Sequence, residues 1–186
     1  MALTAHQIAL QIAAILFMVP FGVGMAATVR VGHAAGRGDA GAVRRAGYIA
    51  ILIGIVFMSA MTLAVICGRF TIATIFLGET SDATTQLTAT LLLIGSTFFI
   101  ADGIQTVAAG ALRGLNDTRM PLLFATLSYW LIGFTCAGLL GFKTPLGAAG
   151  VWVGLSCGTA VYAILLVFRF RNLSRRLQVT GLAGAY

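Results

Sequence analysis

Five long apolar runs, separated by short basic segments, set the terms on which this chain folds. A helix needs roughly 20 apolar residues to cross a bilayer. The runs are about that long and are read as spans at Gln7–Val29, Gly47–Cys67, Leu87–Leu112, Pro121–Phe142 and Leu146–Phe168. Only 9% of the chain is charged and 59% is hydrophobic. Soluble domains run at about 25% charged and 45–50% apolar, with enough polar residues to cover a surface. The fold class expected is therefore an all-α membrane protein with about five transmembrane helices. Its 23 glycines agree, because small residues let membrane helices approach closely.

The net charge of +7 does not point to nucleic acid, since the basic residues sit in short clusters between apolar runs. Arg30, Arg37, Arg44 and Arg45 follow the first span, Arg113 and Arg119 the third, and Arg169, Arg171, Arg175 and Arg176 the fifth. Arg69 and Lys143 alone fall on the opposite side. The positive-inside rule places the ten in the cytoplasm, so the N-terminus is expected outside and the C-terminus inside. Residues 169–186 read as a basic cytoplasmic tail. Arg69 ends the second span, and Ile72, Ile75 and Phe76 suggest an interfacial helical extension to Gly78. A turn through Glu79–Asp82 follows, with Ser81 or Asp82 as a helix cap. No basic segment precedes the first apolar run, so nothing marks a signal peptide.

Several motifs carry no chemistry in this context. "GVGMAA" at Gly22–Ala27 matches a dinucleotide fingerprint but follows Pro20 inside an apolar helix, without the strand the fingerprint needs. Cys67, Cys136 and Cys157 have no metal-ligand spacing and read as packing thiols. His6 and His33 fall near opposite membrane faces, and His33 reads as solvated. No nucleophile, base and acid constellation supports an enzyme. Asn116-Asp117-Thr118 and Asn172-Leu173-Ser174 are sequons on the cytoplasmic side and are expected to be unused. Gly150, Gly154 and Gly158 form a small-residue row suited to close helix packing. Pro20 frees the Leu16 carbonyl and predicts a kink, read either as a tolerated membrane proline or as a hinge. Tyr48 and Trp152 read as interfacial anchors or packing residues.

Asp102 stands apart. It is the one charged residue in Leu91–Leu112, roughly 4.5 Å from the middle of its span at 1.5 Å per residue. A carboxylate there costs about 2.5–3.5 kcal/mol on insertion scales, and intramembrane acids are functional by default. Helical spacing puts Phe98, Gln105 and Thr106 near the same face, a partly polar stripe expected to line a cavity. Tyr129, deep in span four, needs a hydroxyl partner and joins the cavity candidates. One reading is a protonated Asp102 bonded to a neighbouring carbonyl. The other is a site for a cation or a proton, because burial favours the neutral acid and a bound cation the carboxylate.

Five segments in order carry a family resemblance: "AHQIAL" at 5–10, "MVPFGVGMAATVRVGHAAGRG" at 18–38, "DGIQTVAAGALRGLNDTRMP" at 102–121, "SYWLIG" at 128–133 and "PLGAAGVWVGL" at 145–155. Together they resemble the carboxyl-terminal lobe of MATE (multidrug and toxic compound extrusion) transporters of the NorM type. The resemblance implies two six-helix lobes in a chain at least about twice as long, with these spans as helices eight to twelve. It implies no resident cofactor, and export of small cationic or amphipathic compounds in exchange for Na⁺ or H⁺ across the bacterial inner membrane. It places the family's helix-ten acid on Asp102. The lobe's first helix, which carries an acidic partner, is absent, and a tyrosine common one turn before the acid is Phe98. This implies an incomplete lobe, completed by the missing lobe in the same longer chain or in a separate one. A non-transporting fragment or interaction subunit is the alternative. A lipid-linked oligosaccharide flippase of the same superfamily fits less well, since no arginine lies deep in a span.

Overall fold

The computed structural model describes residues 2–77, 82–143 and 148–180. It is all-helical among these residues. The helical segments are α1 (Ala2–Gly36), α2 (Ala40–Leu77), α3 (Asp82–Gly114), α4 (Arg119–Thr126), a π-helical stretch (Leu127–Gly133), α5 (Phe134–Phe142) and α6 (Ala148–Thr180). α4, the π-helical stretch and α5 follow without a break, because the residues at both junctions keep right-handed helical dihedrals. They act as one rod. By length and composition, Leu10–Gly36, Ala40–Ile75, Arg119–Phe142 and Gly150–Leu177 can each cross a membrane, among the described residues. The predicted third span lies within α3.

α3 sits against α1, α2 and α6, and α6 in turn carries the α4–α5 rod. Where α1 crosses α3, glycine replaces side-chain packing. Gly24 and Gly32 on α1 flank Thr28, and Thr106, Gly110 and Gly114 answer on α3. A Cβ on Gly110 would overlap the Gly24 carbonyl, and one on Gly114 would come 2.6 Å from the Thr28 carbonyl oxygen. The Thr28 hydroxyl lies 2.8 Å from the Gly110 carbonyl across the interface and 3.0 Å from the Gly24 carbonyl on its own helix. The predicted row Gly150, Gly154 and Gly158 packs against Leu140, Ala137 and Gly133 of the neighbouring rod, again without room for a Cβ. The apolar core proper fills the space between, with Val31, Val43, Val107, Leu112, Leu166 and Phe170 fully buried. Trp152 is buried too, in a second cluster with Met58, Leu92 and Phe99, and so packs rather than anchors.

Three boundaries differ from the sequence reading. The basic segment after the first span shrinks to a turn of Arg37, Gly38 and Asp39. Gly38 takes φ 77°, the Asp39 amide bonds the Ala34 carbonyl, and the Asp39 carboxylate accepts from the Ala42 amide at 2.8 Å to cap α2. Arg30, Arg44 and Arg45 are therefore helical and exposed. Second, the second span and its interfacial extension form one helix to Leu77, since nothing between Cys67 and Leu77 breaks it beyond the single Gly68. Third, the basic tail is helical through Thr180; the sequence offers no glycine or proline before Gly181. Residues 79–81 of the predicted turn, the side chains of its two cap candidates, the His6 side chain and residues 181–186 lie outside the described residues.

Asn116, in the turn between α3 and α4, has φ 58° and repeats the role of Gly38. The following Asp117 makes an ion pair with Arg169 of α6, Nε to Oδ2 at 2.7 Å. This ties the end of α3 to α6.

Candidate functional site

Asp102 lies two-thirds of the way along α3, with only 7% of its surface exposed. One helical turn on, the Gln105 side-chain amide donates from Nε2 to Asp102 Oδ1 at 2.7 Å. The Gln105 carbonyl end, Oε1, accepts from the Tyr129 hydroxyl at 2.6 Å. A relay of three polar side chains thus runs from the carboxylate on α3 to the π-helical stretch of the neighbouring rod. Gln105 is the residue type that permits it: its amide carries a donor and an acceptor, so it bridges an acceptor-only carboxylate and a hydroxyl donor.

Thr106 shares the polar stripe but not the relay. Its hydroxyl donates back to the Asp102 backbone carbonyl at 2.8 Å, a common use of threonine in a helix. Phe98, half-buried, packs edge-on to the Trp152 ring at 6.5 Å between centroids and offers the site an apolar wall. Pro20 is buried on α1, which passes through it without interruption. Asp102, Gln105 and Tyr129 are therefore brought together, Thr106 is turned aside, and Phe98 and Pro20 stand off the polar relay.

Two residues of the site escaped the sequence reading. Thr159 of α6, fully buried, neighbours the Tyr129 hydroxyl, and its own hydroxyl donates to the Leu155 backbone carbonyl at 2.9 Å. The Tyr162 ring, one turn further on, packs against the Tyr129 ring at 5.6 Å. The signal available was a threonine and a tyrosine three residues apart in an apolar span. Next to Tyr129, the Ser128 hydroxyl is fully buried and has no hydrogen-bond partner. It sits in the π-helical stretch, a geometry found mostly as short insertions at functional sites.

No lysine or arginine pairs with Asp102 among the described residues. Nor do three metal-ligating side chains converge there. The oxygen donors at hand are the carboxylate, the Gln105 amide oxygen and the Tyr129 hydroxyl, which suit a hard cation or a proton rather than a soft metal ion. Gln105 holds only one of the carboxylate's acceptor positions.

Comparison with known proteins agrees with this architecture. The family model described as MatE matches residues 1–137. The chain is 62% identical over 178 residues to a probable multidrug resistance protein NorM of Bradyrhizobium diazoefficiens, covering 95% of this chain and 38% of that protein. It is 59% identical over 185 residues to the corresponding protein of Rhodopseudomonas palustris, covering 98% and 39%. The chain thus spans about two-fifths of the length of these curated relatives. Among solved structures, the eukaryotic MATE transporter AtDTX14 superposes with a TM-score of 0.83 at 23% identity, over 96% of this chain and 40% of that one. An outward-facing multidrug resistance MATE family transporter of the MOP superfamily gives 0.85 at 20% identity, over 95% and 39%. At those identities the likeness is one of fold.

Proposed function

The chain belongs to the MatE family, and on that premise we propose that it is part of a multidrug exporter driven by antiport of Na⁺ or H⁺. The rest of the transporter comes from the same longer chain or from a separate one. Its substrates are small cationic or amphipathic compounds. The observation that carries the reading is the Asp102–Gln105–Tyr129 relay, an acid with no cationic partner among the described residues, linked by hydrogen bonds to a different rod.

The chemistry follows from the amide. With Gln105 Nε2 toward Asp102, the carboxylate is stabilised by a donor. When a cation binds the carboxylate, the amide flips, Oε1 turns to the cation and Nε2 to the Tyr129 oxygen. When a proton binds instead, Asp102 donates to the flipped Oε1. Either event reverses the polarity of the bond to Tyr129 and so reaches the α4–α5 rod. Loading of Asp102 is in this way communicated between elements that move in alternating access. The basic edge at Arg37, Arg113 and Arg171 faces the cytoplasm, with the first residues of the chain outside.

The test is tolerance to cationic amphipathic compounds in an efflux-deficient host expressing this lobe with the rest of its transporter. Asp102→Asn is expected to return tolerance to the level of the empty host while the protein stays in the membrane. Undiminished tolerance with Asp102→Asn overturns the reading.

A further inference from the structure

On the side of α3 away from Asp102, a groove of about 560 Å³ runs between α2, α3 and α6. Ten of its eleven lining residues are apolar, and the eleventh is Arg171. Ile51 and Ala163 are buried at its floor, while Ile164 and Phe168 stand exposed at its rim, so the groove opens outward. Along α6 the lining stripe runs from Ala160 to Arg171. Eleven residues at 1.5 Å make about 16 Å, close to half of the roughly 30 Å hydrocarbon core. The groove is therefore one leaflet deep, with a guanidinium at the headgroup level.

A second arginine stands at that level. Arg44 lies two turns before Ile51 on the same face of α2, its guanidinium 5.8 Å from the Tyr48 ring centroid. Tyr48 packs edge-on to Phe170, the neighbour of Arg171. Arg44 and Arg171 thus mark the same membrane edge. No carboxylate pairs with Arg171 among the described residues.

We propose that this groove is a binding site for an anionic phospholipid, one acyl chain lying along Ile51, Ile104 and Ala160 and the phosphate against Arg171. Charge selects the occupant. A cationic amphiphile is repelled at the arginine end, and a zwitterionic lipid brings an ammonium group along with its phosphate. Clustered basic residues between membrane helices at an anionic leaflet are suited to such headgroups.

The test is native mass spectrometry of the full chain in mild detergent, titrated with phosphatidylglycerol or phosphatidylcholine. The wild type is expected to retain one phosphatidylglycerol in preference to phosphatidylcholine. Arg171→Gln should weaken retention about five-fold, the equivalent of about 1 kcal/mol per basic residue at the surface. Arg171→Lys should keep most of it, and Ala160→Phe, which fills the acyl seat, should weaken both lipids. Arg175→Gln, one turn beyond the groove, should change nothing. Wild-type retention by both Arg171→Gln and Ala160→Phe overturns the proposal. So does an equal loss with Arg175→Gln, which assigns the effect to general surface charge.

Discussion

The two hydrogen bonds of the relay differ in kind, and that difference can be measured. The bond from Tyr129 to Gln105 joins neutral partners on two helices. Interhelical bonds of this sort in membranes are worth about 0.6 kcal/mol on average, up to about 1.7. The bond from Gln105 to Asp102 serves a buried carboxyl, for which about 1.5–3 kcal/mol is the range when the acceptor is charged. Tyr129→Phe should therefore lower stability by less than Gln105→Leu in unfolding titrations of the purified protein. Equal costs would show that the carboxyl draws no support from the amide. Asp102 and Gln105 could be paired from the sequence, because an acid in an apolar run demands company and helical spacing supplies it; Tyr129 stood out separately, as a deep hydroxyl in need of a partner. Thr106 was on the right face, yet its hydroxyl satisfies itself on its own backbone, which face arithmetic does not see. Thr159 and Tyr162 were missed because their relation to Tyr129 is one of neighbouring helices, and periodicity within one helix says nothing of that.

At the level of elements, the glycines decide how close the helices come. The α1–α3 crossing has backbone against backbone at Gly110, whereas Gly22 faces open space. Gly110→Ala should destabilise the protein by about 1–3 kcal/mol, the usual cost of overpacking. Gly22→Ala should be neutral or slightly stabilising, since it sits in a helix with room for a methyl group. Thermal aggregation of the detergent-solubilised variants measures both, and similar midpoints for the two would contradict the crossing. The glycine row of α6 could be read from its four-residue spacing alone. The matching pair of rows on α1 and α3 could not, because threonines interrupt the glycines and the pairing joins residues some 80 positions apart. The π-helical stretch at Leu127–Gly133 had no sequence signal, since it differs from an α-helix only in which carbonyl each amide chooses.

For the whole molecule, the outer surface is where its bulk apolar residues lie. Leu122, Trp130, Leu131 and Phe134 are each between 67% and 72% exposed, which suits lipid and not water. The sequence anticipated this by composition, and it anticipated the number of long helices by run length. It did not anticipate how little chain connects the first two, because the Gly38–Asp39 turn was hidden inside a segment that looked like a basic loop. A topology reporter inserted in Ala34–Gly41 should read cytoplasmic, and one at Glu79–Asp82 periplasmic; the opposite pattern would reverse the orientation. One further consequence comes from the ion pair of Asp117 with Arg169, whose carboxylate side is only 11% exposed. It joins the turn that follows α3 to the body of α6, the two helices that carry Gln105 and Thr159. About 15 Å of helix separates Arg169 from Thr159 at 1.5 Å per residue. The pair never touches the relay, so Asp117→Asn should loosen the α3–α6 contact while leaving the Gln105 and Tyr129 side chains chemically intact.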